Sequence, residues 1–333
     1  MNTKPLRWIS QILAVVLTVF GMTACSTTTS VPATSTQASE PQSQELNPKN
    51  ADDYYKRGLA YYNQGEMTKA IADYSKAIEL NPKNAEAYNN RAWLYSIQGE
   101  ETKAIADYSK AIELNPKNAN AYVSRGVAKS VLGKNAEAIA DYDRAIKLNP
   151  DYANAYVSRG VAKSVLGKNA EAIADYDRAI QLDSYNVISH ALIYVSRATA
   201  KYELGKKAEA ISDYDRAIKL DSNNAMAYVG RGEAKSDLGK KQDAISDYDR
   251  AIQLDSNIAM AYKKRGNAKS DLGKKAEAIS DYKKAAYFYN QQTNRATYYC
   301  AQQIDKAANC NEQTKSRSDY QDTLNQIKKL SAQ

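Results

Sequence analysis

One pattern recurs seven times in this chain and restricts its fold more than any other feature. Each copy opens on a tyrosine, carries an Arg three residues on, reaches a Gly after eleven residues, and then runs Ala-Ile-x-Asp-Tyr-x-x-Ala-Ile or a close variant. The opening tyrosines are Tyr54, Tyr88, Tyr122, Tyr156, Tyr194, Tyr228 and Tyr262; five of the six steps are 34 residues, and the step from Tyr156 to Tyr194 is 38. A fixed period of this length marks a solenoid, in which a unit covers its apolar face only by stacking on its neighbours. An array of this kind favours an interaction role over catalysis.

Within a unit the spacing predicts two helices. In the third, Ala121, Tyr122, Arg125, Gly126 and Lys129 follow helical spacing, Gly133 interrupts, and Ala138, Ile139, Tyr142, Ala145, Ile146 and Leu148 resume it before Asn149-Pro150. The i, i+3, i+4, i+7 repeat gives each helix an apolar stripe. Gly133 ends the first helix and Pro150 cannot continue the second. Gly126, Ala138 and Ala145 allow close approach of the helix axes, while Tyr122, Ile139, Tyr142 and Leu148 supply bulk.

These residues resemble the tetratricopeptide repeat (TPR) family, whose pattern places an aromatic, a Leu-Gly pair, an Ala, a second aromatic and a Pro at set offsets. The resemblance implies an all-α, right-handed TPR solenoid of seven helix-turn-helix repeats, at 51–84, 85–118, 119–152, 153–186, 191–224, 225–258 and 259–290, with a concave groove. One departure is systematic. The Leu position is occupied by Arg57, Arg91, Arg125, Arg159, Arg197, Arg231 and Arg265, and an Asp follows each sixteen residues later, from Asp73 to Asp281. The co-occurrence predicts a partly buried ion pair that holds the two helices in register; an arginine row for acidic ligands is the alternative.

In the family the groove is lined by the first helix of each unit. Carried onto this chain, that face holds Tyr55, Leu59 and Asn63, then Asn89, Trp93 and Ile97, then Val123, Val127 and Val131, then Val157, Val161 and Val165. It turns polar at Glu233 and Asp237 beside Val229, and at Lys263, Asn267 and Asp271. The valines form an apolar stripe, read either as an exposed partner site or as packing between neighbouring units. Trp93 is the sort of aromatic anchor found in binding hot spots. The valines depart from the Lys and Asn that clamp a C-terminal carboxylate in chaperone-binding members, so the expected partner is an apolar or amphipathic protein or peptide segment.

The N-terminus reads as an export signal over 1–24. Lys4 and Arg7 precede an apolar run from Ile12 to Phe20, too short for a stable transmembrane helix. Met22-Thr23-Ala24-Cys25 resembles the lipobox of bacterial lipoproteins, which implies acylation of Cys25 and, with Ser26 following, an outer-membrane destination; secretory cleavage after Ala24 is the alternative. Residues 25–50 are Ser/Thr-rich and predicted to be a flexible tether. In the tail, 291–333, Cys300 and Cys310 are expected to form a disulfide in an exported chain, and Tyr320, Leu324, Ile327 and Leu330 mark an amphipathic helix that caps the last repeat.

Composition weighs against other functions. The net charge of +8 is modest, and acids and bases interleave in every repeat, unlike the one-sided basic faces of nucleic-acid binders. With His190 the single histidine, neither a Ser/His/Asp arrangement nor a His/Cys metal site is easily assembled. The reading is a membrane-tethered scaffold or adaptor without enzymatic activity, cofactor or small-molecule substrate; a structural spacer or self-associating array is the alternative.

Overall fold

The computed structural model describes residues 48–182, 187–301 and 306–332, with side chains over 48–182, 190–294 and 316–332. The export signal, Cys25 and nearly all of the tether lie outside the described residues, as do the side chains of Cys300 and Cys310. Fifteen helices, and no strand, occur among the described residues. No helix among them is long and apolar enough to cross a membrane. The chain divides into two compact units at Ala155 and Tyr156.

The first unit, described over 48–155, contains α1 (Ala51–Asn63), α2 (Met67–Leu80), α3 (Ala85–Ile97), α4 (Glu101–Leu114), α5 (Ala119–Val131) and α6 (Asn135–Leu148). They pair in sequence as hairpins. Each first helix ends where a glycine enters the left-handed region: Gly65, Gly99 and Gly133 have φ of 77°, 74° and 77°. At the third, Lys134 N–H closes back on the Lys129 carbonyl at 2.9 Å, satisfying one of the helix's last carbonyls. Asparagines start the next hairpins, Asn84 and Asn118 each accepting a backbone N–H from the residue three positions on.

Neighbouring hairpins complete one another's core. Ala70 and Tyr74 of α2 cluster with Leu94 of α3, and Ala77 and Ile78 of α2 with Ala87 of α3. The second-helix tyrosines Tyr74, Tyr108 and Tyr142 are almost wholly buried, each contributing about 2–3 kcal/mol by removal of apolar area from water. Gly126 makes room for one of them: a Cβ there would stand 2.6 Å from Tyr142 Cε1.

The second unit, described over 156–332, begins within α7 (Ala153–Val165). It continues through α8 (Asn169–Gln181), α9 (Val187–Glu203), α10 (Lys207–Leu220), α11 (Ala225–Asp237), α12 (Lys241–Leu254), α13 (Ala259–Asp271), α14 (Lys275–Ala301) and α15 (Lys306–Ser331). The same devices recur, with a core that links Val195 and Tyr214 to Val229, Tyr248 and Ala261. The four extra residues between repeats four and five lengthen α9 to 17 residues where its counterparts have 13; four residues add about one turn and preserve the buried face.

The repeat pattern stops after Tyr289, but the helix does not: α14 runs on to Ala301. The expected amphipathic segment near Tyr320 is the C-terminal part of α15, which packs along α14. Tyr320 joins the cluster of Ala259, Tyr262, Ala285 and Tyr289. Lys263 is paired with Asp319 at 3.3 Å and Asp322 at 2.8 Å, so α15 covers the end of the last repeat with an apolar contact and two ion pairs.

Candidate functional site

The first helix of each hairpin must satisfy an arginine in the register where the pattern it resembles carries leucine. In all seven units the predicted pair forms, with two near-parallel hydrogen bonds: Nε to Oδ2 and Nη2 to Oδ1 of the Asp sixteen residues on. In the first unit, Arg57 makes them to Asp73 at 2.7 and 2.8 Å. The aspartates are buried, so each anion is satisfied inside the hairpin, which removes this arginine row from the roll of acidic-ligand sites.

Two further legs were not apparent from the sequence. In the five later repeats a lysine reaches the same carboxylate, as Lys129 does to Asp141 at 2.8 Å and Lys201 to Asp213 at 2.8 Å. In the first two repeats Tyr61 and Tyr95 replace that lysine, and each presents a ring face to the arginine at 5.6 and 5.7 Å. The third leg crosses between hairpins. Arg91 Nη1 donates to Ser75 Oγ at 3.0 Å and Arg125 Nη1 to Ser109 Oγ at 3.1 Å; in the second unit Arg231 Nη1 donates to Asp215 at 2.6 Å, and Arg197 and Arg265 pair likewise with Asp177 and Asp249. The signal was present as a Ser or Asp two residues after the paired Asp, but its target lay in another repeat. Burial alone would lower the pKa of Arg197; the hydrogen bonds it donates to Asp213 and Asp177 more than offset that, and the net direction is upward.

The predicted groove residues divide. Val123 and Val127 are buried, and in the second unit so are Val157 and Val161, at 3% and 2% exposure. The expectation of an open stripe is corrected at these four positions. Val195 and Val229, which occupy the register of Val123 and Val157, belong to a core cluster, and successive first helices touch one another, α3 with α5 and α9 with α11. Apolar side chains at that register therefore close against neighbouring helices. Val131 and Val165, one turn farther on, are half-buried.

On α3 the groove face remains accessible. Ile97 is 44% exposed, and Trp93 is half-buried, packed with Leu59 and Tyr55 against the cluster of Ala70, Tyr74 and Leu94. Tyr55 Oη accepts from Asn90 Nδ2 at 3.1 Å, linking α1 to α3. Asn89, four residues before Trp93, holds its side-chain carbonyl oxygen enclosed and without a hydrogen-bond partner among the described residues. A buried acceptor in that state is costly, about 1–3 kcal/mol. Sequence inspection included Asn89 on the face but gave no sign of this.

In the second unit the corresponding face is charged and internally paired. Glu233 binds Lys264, Asp237 receives Tyr202 Oη at 2.7 Å and Lys207 at 3.2 Å, and Asp271 binds Lys241 at 2.6 Å. Burial would raise the Asp237 carboxyl, but the bonds from Tyr202 and Lys207 hold it below the ordinary range. No group of three or more His, Cys, Asp or Glu among the described residues is placed to hold a metal ion.

Comparison with known proteins agrees with this architecture. Tetratricopeptide repeat models match residues 51–84, 85–118, 108–140, 153–186 and 225–258, and a TPR repeat model matches 132–164 and 198–239. No curated protein matches the chain in sequence. A tetratricopeptide repeat protein from Parabacteroides merdae is 22% identical, over 72% of this chain and 93% of its own, with a TM-score of 0.59. PilF of Pseudomonas aeruginosa is 20% identical over 63% and 94%, TM-score 0.54; PilW, described as a type IV pilus biogenesis factor, is 19% identical over 62% and 94%, TM-score 0.55. Repeat spacing, hairpin geometry and matching models together establish that this chain belongs to the tetratricopeptide repeat family.

Proposed function

We propose that the chain is a membrane-tethered adaptor of the bacterial envelope that binds a protein partner on the groove face of its repeats. Proteins of the tetratricopeptide repeat family generally mediate protein–protein interaction, and the fold is typically a non-catalytic scaffold. The observation that carries the site assignment is the α3 face. Ile97 is accessible, Trp93 presents a partly covered aromatic surface, and Asn89 Oδ1 is an acceptor still lacking a donor. An apolar side chain of the partner segment covers Trp93 and Ile97, and a turn of the Asn89 side chain toward the groove brings its enclosed Oδ1 to a peptide N–H of the same segment. Val131 and Val165 extend the face as half-covered apolar positions in their own units.

The tether rests on the basic and apolar stretches before Met22-Thr23-Ala24-Cys25 and the Ser/Thr-rich segment after it. Acylation at Cys25 in the outer membrane, facing the periplasm, is the reading these residues support. PilW, a solved structure of similar fold, is described as a pilus biogenesis factor, which accords with an envelope assembly role.

Crosslinking in native envelopes followed by mass spectrometry identifies the partner. Ile97→Glu and Asn89→Ala are expected to abolish its crosslinks without shifting the unfolding midpoint by more than about 0.5–1 kcal/mol equivalent. Undiminished crosslinking in both variants overturns the assignment to α3. Val127→Glu and Val161→Glu are unsuitable probes, because each places a carboxylate in a buried site and destabilises the fold itself.

A further inference from the structure

The outer faces of α10, α12 and α14 carry cations that the ion-pair network does not use. Arg216 and Lys219 on α10, Arg250 on α12, and Lys283 and Lys284 on α14 are all exposed. Their non-covalent contacts are with neutral groups: Arg216 lies over the Tyr194 ring at 5.7 Å, Arg250 donates to Gln253 at 3.4 Å, and Lys284 lies over the Tyr262 ring at 5.5 Å. The nearby acids are committed elsewhere. Asp215 and Asp249 are held by Arg231 and Arg265, Glu209 lies within reach of Lys201 and Lys206, and Glu277 pairs with Lys269. Asp243 is exposed nearer the start of α12.

These cations share a register. Arg231 grips Asp215 of α10 and Asp247 of α12 at once, and Arg265 does the same for Asp249 of α12 and Asp281 of α14. α11 and α13 pack against the helices on either side of them, so α10, α12 and α14 follow one another along the stack, linked through these arginines. Arg216, Arg250 and Lys284 fall at equivalent repeat positions, each four residues after an exposed serine, Ser212, Ser246 or Ser280. In the last repeat the position held by Asp177, Asp215 and Asp249 in the three before it, each of which receives an arginine from the next hairpin, is Lys283. Beside it, Tyr287 is 59% exposed, the largest exposure among the big apolar side chains of the described residues, with its ring edge-on to Phe288.

We infer that this face docks on an anionic lipid surface. The charges spread over three successive second helices rather than along one helix, which suits the many phosphate headgroups of a lipid surface. An amphipathic tyrosine in the same patch suits the headgroup boundary. A single-stranded nucleic acid would call for successive stacking rings, and Tyr287 is the one exposed aromatic ring of the patch. The inference does not depend on acylation of Cys25 or on the groove assignment.

The test uses the full chain carrying Cys25→Ser, so that no acyl chain contributes. Its partition is measured by co-sedimentation with vesicles of phosphatidylcholine alone and with 30 mol% phosphatidylglycerol added, about a third of the surface being anionic. The apolar N-terminal run with Lys4 and Arg7 is common to parent and variants, so the readout is the change in the ratio of the two partition coefficients. Each cation near such a surface is worth roughly fivefold. Arg250→Glu with Lys283→Glu and Lys284→Glu is expected to lower the ratio by about a hundredfold or more, and conversion of the same residues to Lys or Arg keeps it. A ratio near one in the parent chain overturns the inference, as does a ratio indifferent to the charge reversals. Full displacement from anionic vesicles by soluble polyphosphate or single-stranded DNA at equal phosphate concentration overturns the lipid assignment in favour of a polymer.

Discussion

Removing the Asp213 carboxylate is expected to be among the most damaging single changes to the array. Asp213 is 2% exposed and accepts from Arg197 Nε at 2.8 Å, Arg197 Nη2 at 2.6 Å and Lys201 Nζ at 2.8 Å. Arg197 itself is largely buried, so neither charge is well screened by water. In Asp213→Ala two cations lose their common anion, and Arg197 retains only the half-exposed Asp177. Loss of one partner from a buried pair costs about 3–5 kcal/mol; with Asp177 retained, about 3 kcal/mol is expected. Asp177→Ala removes an exposed leg and is expected to cost only about 0.5 kcal/mol. Urea unfolding of the two purified variants, followed by circular dichroism, gives the comparison. Because stacked repeats need not unfold in one step, hydrogen exchange in α9 and α10 should show the loss localised there. If Asp213→Ala costs less than about 1 kcal/mol, or no more than Asp177→Ala, the ladder is not what holds the hairpins in register.

Gly133→Ala forces an L side chain into a φ of 77° and should cost about 1–2 kcal/mol by denaturant midpoint. Gly126→Ala sets a Cβ against the Tyr142 ring. Since Ala92 and Ala198 occupy the same register in other repeats, the ring can shift, and a cost nearer 1 kcal/mol is expected. Alkaline stability should fall from about pH 10 upward. Burial pushes Tyr152 up to about 12, and Tyr108, Tyr142, Tyr176 and Tyr214 are raised by the same cause. Their folded values lie above the unfolded one, so above about pH 10 the unfolded chain holds fewer protons and gains, by as much as about 1.4 kcal/mol per pH unit for each tyrosine; a pH titration of the urea midpoint that stays flat from 9 to 12 contradicts this. Tyr320→Ala removes the ring that packs on Tyr262 and Tyr289, and limited proteolysis should then cut within α15 well before the repeats.

The hairpins were legible because their signals are local and repeated. The apolar period and the glycine at each turn act within one repeat, and seven copies make the pattern hard to mistake. The arginine-to-aspartate pair was readable for the same reason, both partners lying sixteen residues apart in a fixed unit. The lysine that shares Asp141 or Asp213 sits only four residues from the arginine, yet nothing in a linear reading says which carboxylate it meets.

The groove was read only in outline. Its positions followed from the family pattern, but the sequence could not decide whether valine at 123, 127, 157 or 161 faced solvent or a neighbour. Solvent exposure at a given register depends on how closely the next first helix approaches, and that is a property of the stack. The amino-acid order thus determined the unit, its two helices, its turn and its internal ion pair, because each arises from contacts within about thirty residues. The tertiary structure alone decided which carboxylates bridge successive hairpins, which valines are closed off, that Asn89 is left with an unanswered acceptor, and that the cations of α10, α12 and α14 share a face. Each of these depends on side chains from different repeats meeting at a helix–helix spacing that no single repeat specifies.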